Sequence, residues 1–371
     1  MSKSSDQFGY GYPFLSYKDV FNNYYAPEKL STLVNSTEKD RMKCSVKQGD
    51  VFLTRTSETT DELGMSCVAL HDYVNATFNG FTKRLRPLTD EIEPKYAAYY
   101  FRSPYFRSQC ISLASLITRA SLNDGMIRRL KIRYPLNRKV QEKIGGILYT
   151  YDSLIENNTK RIRLLEKMAE NLYKEWFVRF RFPGHENVEM ENGLPKGWKY
   201  VNFSNLSPIL TGKKDANYAS QNGKYKFFTC SKNDLVADNY SFDCFAIILA
   251  GNGDLNVKLY DGQFEAYQRT YVLSPYDVEH IYVSYYTIQS ELDRLLVGAA
   301  GAVIKFLTKG MIEKIKVLLP TNDVLVRFNS IQEHNYRLRQ NLKRQNSLLA
   351  RQRDLLLPRL MSGKLEVKVK P

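Results

Sequence analysis

The sequence predicts an α+β fold: two mixed α/β domains with an internal pseudo-two-fold repeat, joined by two long antiparallel coiled-coil-like helices. Three observations predict it. Gly125-Met126-Ile127 returns as Gly310-Met311-Ile312, 185 positions later. A stretch with apolar residues at helical spacing follows each copy. Short apolar runs separated by turn residues precede each copy, as in a strand-rich globular domain.

Other residues keep the same distance of 185 positions, namely Leu122 and Leu307, Lys131 and Lys316, Pro135 and Pro320, and Tyr100 and Tyr285. We expect a first domain over residues 1–136 and a first long helix over 137–180. A linker and second domain follow over 181–320, then a second long helix over 321–361. A C-terminal tail over 362–371 closes the chain.

The first long helix is predicted by apolar residues in alternating three- and four-residue steps, with no proline inside. About 40 helical residues make a rod of roughly 60 Å. Asn158 falls on the apolar stripe, where a buried Asn fixes helix register at some cost in stability. The alternative, that Asn158 turns to solvent, stays equally open.

The second long helix begins after Pro320, with Thr321, Asn322 or Asp323 as the capping residue. Pro358 is expected to bend or end it. We expect the two helices to pair antiparallel, although a parallel homodimer has the same periodicity. Polar residues interrupt the second stripe and leave room for helices of a partner; these are Asn335, Gln345 and Gln352.

The charge balance indicates a polyanionic partner. The chain has 54 Lys and Arg against 39 Asp and Glu, a net charge of +15, with 26 Tyr and 19 Phe. A surplus of this size favours nucleic acid, although a merely basic protein is the alternative. The five cysteines form no C-x-x-C pair, and no apolar run reaches membrane-spanning length. We expect a cytoplasmic location and no membrane partner.

No catalytic or metal-binding constellation is recognisable. A phosphate-binding G-x-x-x-x-G-K-[ST] loop and a G-x-G-x-x-G motif after a strand are both missing, and the four histidines have no metal-ligand or triad spacing. Gly251-Asn252-Gly253-Asp254 follows an apolar run but lacks a third glycine, which favours a turn. The sequence predicts no cofactor, no metal and no enzymatic activity of the chain by itself.

Binding chemistry lies in loops of both domains. Arg grips guanine edges, Asn and Gln grip adenine, and Ser and Thr reach bases or phosphates. Each loop alone is better explained as a solvated turn, but their recurrence in both domains favours DNA contact. The candidate DNA-binding residues are Tyr17, Thr54, Arg55, Thr56, Ser57, Glu58, Asn79, Lys83, Arg84, Thr118 and Arg119 in the first domain and Lys213, Lys214, Asn217, Lys232, Asn252, Asp254, Gln268, Arg269 and Lys305 in the second.

Three motifs resemble the specificity subunits of Type I restriction–modification enzymes, and the resemblance covers nearly the whole chain. They are Gly11-Tyr12-Pro13-Phe14-Leu15-Ser16, Gly193-Leu194-Pro195-Lys196-Gly197-Trp198, and the ending from Leu355 to Leu365. The resemblance implies that each domain is a target recognition domain reading one half of a split, asymmetric sequence in double-stranded DNA. It also implies that the helices set the unread spacer.

The resemblance further implies partners. Two modification (methyltransferase) subunits would dock on the helices and use S-adenosylmethionine to methylate adenine, and restriction/motor subunits would use ATP. The missing catalytic motifs agree with this division of work. The candidate partner-binding residues on the helices are Ile147, Tyr151, Leu154, Asn158, Leu165, Leu172, Ile331, Leu338, Leu342, Leu349 and Leu356.

One departure concerns the first domain, which lacks the lead-in of about 20 residues that precedes Tyr225 in the second domain. We therefore expect the C-terminal tail, Lys364 to Lys370, to fold back and complete the first domain. Two other functions stay open. One is a basic coiled-coil scaffold that binds DNA without sequence specificity. The other is a nuclease or methyltransferase with an unfamiliar site.

Overall fold

The computed structural model describes residues 4–59, 62–113, 115–116, 120–298 and 306–368. The chain divides into two compact units. Unit 1 consists of Met1–Lys160 with Leu342–Pro371, and unit 2 is Arg161–Asn341. Each unit contains a part of both long helices.

Among its described residues, unit 1 holds three small sheets of three strands each. The strands are β1 (Phe8–Leu15), β2 (Leu33–Val34), β3 (Val51–Thr54), β4 (Thr56–Ser57), β5 (Ser66–Val68), β6 (Thr77–Phe78), β7 (Thr82–Leu85), β8 (Ser115–Leu116) and β9 (Ala120–Ser121). Their orders are β2-β1-β6, β5-β3-β7 and β4-β9-β8. The β1–β6 pair is parallel, and β3 pairs antiparallel with β5 and β7.

Short helices connect and cover these sheets. They are α1 (Tyr17–Asn22), α2 (Glu38–Lys43), α3 (Pro94–Tyr100), α4 (Pro104–Leu113) and α5 (Asp124–Ile127). Capping boxes at Ser16 and Thr37 start α1 and α2. One core cluster of unit 1 joins Tyr99 and Phe106 to Leu357 and Leu360 from the end of the second long helix. Residues far apart in the sequence thus share one core.

The first long helix is α6 (Arg138–Tyr173), which continues into a π-helical turn over Lys174–Val178. Trp176 and Phe177 in this turn are buried in the main core of unit 2. The wider turn places both rings inward, against Trp198 and Phe328.

Unit 2 is built around a six-stranded sheet. The strands of the whole unit are β10 (Met190–Glu191), β11 (Leu194–Pro195), β12 (Lys199–Asn202), β13 (Ile209–Thr211), β14 (Tyr225–Phe228), β15 (Leu235–Ala237), β16 (Phe242–Ala250), β17 (Val257–Ala266), β18 (Thr270–Leu273) and β19 (Lys316–Leu319). The order is β13-β18-β16-β17-β14-β15, with β10–β11 and β12–β19 as separate antiparallel pairs. All neighbours in the large sheet are antiparallel except β14 and β17.

Two helices follow the large sheet, α7 (Ile281–Gly298) and α8 (Lys309–Glu313). The short apolar runs of the second domain, over 181–320, predicted strands, and α7 is a difference from that prediction. The first turns of α7 are rich in β-branched and aromatic residues, which favour strands locally. Burial of Ile281, Val283 and Ile288 in the core outweighs this preference.

The second long helix is α9 (Asn322–Met361). Pro358 lies in its last turns and does not end it. The Pro358 carbonyl accepts a hydrogen bond from Ser362 N, so the helical hydrogen bonding continues past the proline. Within unit 1, Asp152 of α6 meets Arg353 of α9, and Asn158 meets Gln345. Later positions on α6 therefore meet earlier positions on α9.

The same direction holds within unit 2. The side chain of Asn335 donates to the Leu165 carbonyl at 3.0 Å, and that of Gln332 donates to the Ala169 carbonyl at 3.2 Å. The helices are thus antiparallel within each unit, and the predicted α+β fold is confirmed. Asn335 is buried, so the prediction that it leaves room for a partner helix is wrong. Its amide instead binds the backbone of α6.

Candidate nucleic-acid interface

In unit 2, four loops converge through backbone and side-chain hydrogen bonds. Gln268 N donates to the Lys214 carbonyl and Gly251 N to the Arg269 carbonyl, each at 2.9 Å. The Asn256 side chain donates to the Cys230 carbonyl at 3.0 Å. The loops over 212–217, 230–233, 251–256 and 267–269 form what we call the second loop cluster.

Gly212 permits the closest approach inside this cluster. A Cβ atom there would lie 2.1 Å from the carbonyl oxygen of Ala266 and 2.3 Å from that of Tyr267. Only glycine lets these two backbone segments meet. The requirement explains why a Gly precedes Lys213-Lys214 in the sequence.

The second loop cluster presents cationic and amide side chains to solvent. Lys213, Asn217, Lys232, Gln268 and Arg269 are exposed, and so is Asp254. Three of the predicted residues, Gln268, Lys232 and Asp254, already have partners within the unit. Gln268 donates to Asp215 at 2.9 Å, and Lys232 and Asp254 form an ion pair at 3.3 Å. Lys214 stands over the ring of Tyr218, and Asn252 is half-buried.

Next to the second loop cluster, one carboxylate, that of Asp234, pairs with two lysines. Burial alone would raise the pKa of Asp234, but hydrogen bonds from Lys226 and Lys258 lower it below its ordinary value. Asp234 is therefore ionised at neutral pH and holds both lysines. Lys226 and Lys258 also face the ring of Phe228. Sequence reasoning missed this group because its members are widely separated in the chain.

In unit 1, a smaller set of loops converges around Arg55. Arg55 N donates to the Phe81 carbonyl at 3.0 Å, and Leu122 N donates to the Arg55 carbonyl at 2.9 Å. Tyr17 Oη donates to the Thr56 carbonyl at 3.1 Å. The segments over 54–58, 79–83 and 121–124 form what we call the first loop cluster.

Several predicted residues of this cluster reach solvent. Arg55 and Glu58 are exposed, and Tyr17, Thr56, Asn79 and Lys83 are partly exposed. Lys83 forms an ion pair with Asp124 at 2.7 Å. The hydrogen bond from Lys83 lowers the pKa of Asp124, so the carboxylate stays charged and neutralises Lys83.

Three predicted residues are used inside the fold. Thr54 is 0% exposed, and its hydroxyl donates to the Glu62 carbonyl and accepts from Met65 N. The buried Ser57 hydroxyl donates to the Glu62 carboxylate at 2.8 Å. Arg84 donates to the Ser45 carbonyl at 2.7 Å and faces the Phe78 ring. Burial, and then the charge of Arg86, lower the pKa of Arg84. These side chains shape the loops, and their DNA contacts stay predictions.

Thr118, Arg119 and Lys305, which were also predicted to bind DNA, lie outside the described residues. Within the described ranges, no group of three or more His, Cys, Asp or Glu side chains is arranged to hold a metal ion. In the same ranges, no helix has the length and apolar content needed to cross a membrane.

The long helices carry the predicted partner-binding residues. Asn158 is 6% exposed and donates to the Gln345 side chain at 3.4 Å, so it lies between α6 and α9, and Leu342 is also buried. Leu154 and Ile331 are exposed. The remaining predicted residues are partly buried, namely Ile147, Tyr151, Leu165, Leu172, Leu338, Leu349 and Leu356.

Five further apolar side chains on the described parts of these helices are exposed, and sequence reasoning assigned them no partner-binding role: Leu164, Met168, Val326, Leu348 and Leu355. They lie off the main apolar stripe. Apolar residues on the outward face of an amphipathic helix are the signal that could have revealed them.

The fold and these surfaces place the chain among proteins that have a repeated mixed α/β unit, paired long helices and cationic loop clusters. Residues 1–167 match the family model described as the Type I restriction modification DNA specificity domain. A solved S subunit of a Type I restriction–modification system from M. genitalium covers 98% of this chain and 95% of its own chain. Its TM-score is 0.56 at 15% identity, which shows a shared fold.

Two curated relatives are also specificity subunits. The EcoDI specificity subunit of Escherichia coli is 38% identical over 128 residues, which are 34% of this chain and 29% of that relative's length. The MjaIX specificity subunit of Methanocaldococcus jannaschii is 25% identical over 395 residues, 99% of this chain and 90% of the relative. The chain is thus similar to Type I restriction–modification specificity subunits over nearly its whole length, and its first 167 residues match the DNA specificity domain of that family.

Proposed function

We propose that this chain is the non-catalytic, sequence-specific DNA-binding subunit of a Type I restriction–modification complex. Each unit reads one half of a bipartite, asymmetric target through its own loop cluster. The observation that carries this proposal is the convergence of loops with DNA-binding chemistry in both units. The names of the similar proteins, which are specificity subunits, support it.

The difference between the two loop clusters supports an asymmetric target. The first presents Arg55, Glu58 and Lys83, and the second presents Lys213, Gln268 and Arg269. Arg favours guanine and Gln favours adenine in the major groove. Two clusters of different side chains read two different half-sites.

The helices dock the catalytic partners. Methyltransferase subunits bind the exposed apolar side chains of α6 and α9, including Leu154, Leu164, Met168, Leu348 and Leu355. Single exposed apolar residues are common on proteins, but several within one unit indicate a binding surface on that unit, with Leu154, Leu348 and Leu355 in unit 1 and Leu164 and Met168 in unit 2. Methylation and ATP-driven cleavage belong to those partners.

The closing test is the methylated motif in DNA from cells that contain this chain and its modification subunits. The expected motif is bipartite and asymmetric, with methylated adenine. Arg55→Ala and Arg269→Ala should each weaken recognition of one half-site only, by about 1–3 kcal/mol. Lys39→Ala and Lys199→Ala are controls on exposed lysines outside the clusters.

Binding that ignores sequence and falls steeply with salt would favour the other candidate, a basic scaffold. Methyl transfer or cleavage by the pure chain would contradict a non-catalytic role. If both Arg variants kept full recognition of each half-site, the assignment of these loops would be wrong.

We also propose that the C-terminal tail completes the first domain. Leu365, Glu366 and Val367 line a cavity with Arg133 and other residues of unit 1. Val367 also contacts the apolar core of that unit. A chain that ends at Gly363 should lose stability in unit 1 and recognition of the first half-site. Unchanged melting and half-site recognition would refute this role.

A further inference from the structure

Nearly all phenylalanines of this protein avoid solvent. All 19 lie within the described part of the chain. Among large hydrophobic residues that are exposed there, the phenylalanines are Phe81 at 62% and Phe306 at 63%. Phe81 belongs to the first loop cluster, and Phe306 lies beside the second. Each candidate DNA surface thus carries one exposed ring.

The backbone at Phe81 is fixed although its ring is free. Its N–H donates to the Asn79 side chain at 3.1 Å, and its carbonyl accepts from Arg55 N at 3.0 Å. The ring makes no aromatic or cation–π contact with the described residues. Arg55 and Lys83 supply cationic groups beside this position. The turn therefore presents an apolar ring at a defined place in the first loop cluster.

Phe306 is presented in the same way in unit 2. It forms an antiparallel bridge with Asn252, and the N–H of the next residue, Leu307, donates to the Gly251 carbonyl at 2.7 Å. Tyr271 Oη donates to the Leu307 carbonyl at 3.0 Å. Gly251 in turn binds Arg269. The ring is therefore attached to the loops that carry the predicted base contacts.

An exposed ring forgoes the stabilisation that burial of a Phe side chain provides. The fold does not require it, because neither ring contributes to a core cluster of its unit. Proteins that bind the minor groove frequently insert apolar side chains as wedges between base pairs, where they unstack a step and kink the duplex. Unstacked bases also gain stacking energy on an aromatic ring.

We propose that Phe81 and Phe306 are such wedges, one at a base step in each half-site. The proposal rests on the proposed function and deepens it. Each ring makes recognition depend on how easily one step unstacks, in addition to the hydrogen bonds of the neighbouring Arg and Gln side chains. The ligand at each ring is double-stranded DNA, in which the face of a base stacks on the ring.

The experiment uses the assembled complex of this chain with its methyltransferase subunits, and duplexes that carry the methylated motif. 2-Aminopurine, whose fluorescence rises on unstacking, replaces one base at a time in each half-site. The wild-type complex should raise the signal at one step per half-site. Phe81→Ala should abolish it in the first half-site only, and Phe306→Ala in the second only.

Each Ala variant should weaken motif binding by roughly 5- to 100-fold, as removal of a base-stacking ring does. Phe81→Leu and Phe306→Leu keep an apolar wedge and should retain most of the unstacking signal. Leu88→Ala and Tyr276→Ala remove exposed apolar side chains elsewhere in the two units and should change nothing. A base that the methyltransferase flips also fluoresces, but that signal should persist in the Phe variants.

Two results would overturn the wedge. One is an unchanged unstacking signal in both Ala variants. The other is a binding loss reproduced by replacing thymine with uracil, since the ring would then contact a thymine methyl group. In both cases the wild-type complex still prefers its motif, so the proposed function stands. A wild-type complex that shows no motif preference refutes the proposed function instead.

Discussion

Asp152 of α6 forms an ion pair with Arg353 of α9, and it also accepts a hydrogen bond from Tyr99 Oη at 2.6 Å. The side chains of Asp152 and Arg353 are 11% and 15% exposed. One carboxylate thus connects α3, α6 and α9 within unit 1. The guanidinium of Arg353 also stands over the Tyr24 ring.

Asp152→Asn should destabilise unit 1. The amide can still accept from Tyr99, but the nearly buried Arg353 keeps only the exposed Asp354 as a counter-charge, which costs up to about 3 kcal/mol. Thermal or urea unfolding of the chain, followed by a probe in unit 1, measures the loss. Asp354→Asn is the matched control, because Asp354 pairs with the same Arg353 but is exposed. Equal effects of the two variants would show that burial does not determine the strength of the pair.

Asp124→Asn should increase the affinity of the first loop cluster for DNA. The carboxylate of Asp124 neutralises Lys83, so its removal frees one cation for a phosphate. The plot of log binding constant against log salt should become steeper by about 0.9. Glu38→Gln makes the same change of charge outside the cluster and should leave the slope unchanged. An unaltered slope for Asp124→Asn would mean that Lys83 does not meet a phosphate.

Gly212→Ala should disrupt the second loop cluster. The new Cβ atom would overlap the Ala266 carbonyl, and the required backbone shift costs about 1–3 kcal/mol. Recognition of the second half-site should fall while that of the first is retained. Gly310→Ala is the control, because nothing lies within 4 Å of its Cβ position. Footprinting or methylation of single-half-site variants measures both effects, and intact reading of the second half-site by Gly212→Ala would contradict the expectation.

Leu164→Glu should weaken docking of a methyltransferase subunit without changing the DNA motif. Leu164 is 67% exposed on α6, so the substitution leaves the fold intact and places a charge in the proposed binding face. We expect a loss of roughly 100-fold in subunit affinity, as at an interface hot spot. Met190→Glu, on an exposed strand, is the control. Sedimentation of the mixed subunits gives the result, and normal assembly would exclude this face.

Periodicity and repetition predicted the large-scale fold because both are visible in the sequence without knowledge of tertiary contacts. The apolar stripes predict two long helices, whereas the two Gly-Met-Ile copies fall on the short helices α5 and α8, which the sequence did not predict. The helix α7 was missed because its identity depends on burial against the sheet rather than on local preference. The π-helical turn at Trp176 likewise depends on tertiary packing of its rings.

The loop clusters were predictable only in part. Residue type marked Arg55, Lys83 and Arg269 as candidate contacts, but it could not distinguish Thr54, whose hydroxyl is used inside the fold. The partner of Lys83 lies 41 positions away at Asp124, and that pairing depends on the folded chain. The exposed rings of Phe81 and Phe306 were not recognised, because most phenylalanines in this sequence are in cores.

The two units differ in how the chain builds them. Unit 2 is one continuous segment, whereas unit 1 combines the first 160 residues with the last 30. A gene exchange confined to codons 161–341 would therefore transfer a complete folding unit with its own core. An exchange of the first 160 codons alone would pair a foreign core with the resident Leu357 and Leu360. New specificities should therefore arise more readily by recombination within codons 161–341 than by exchange of the first 160 codons.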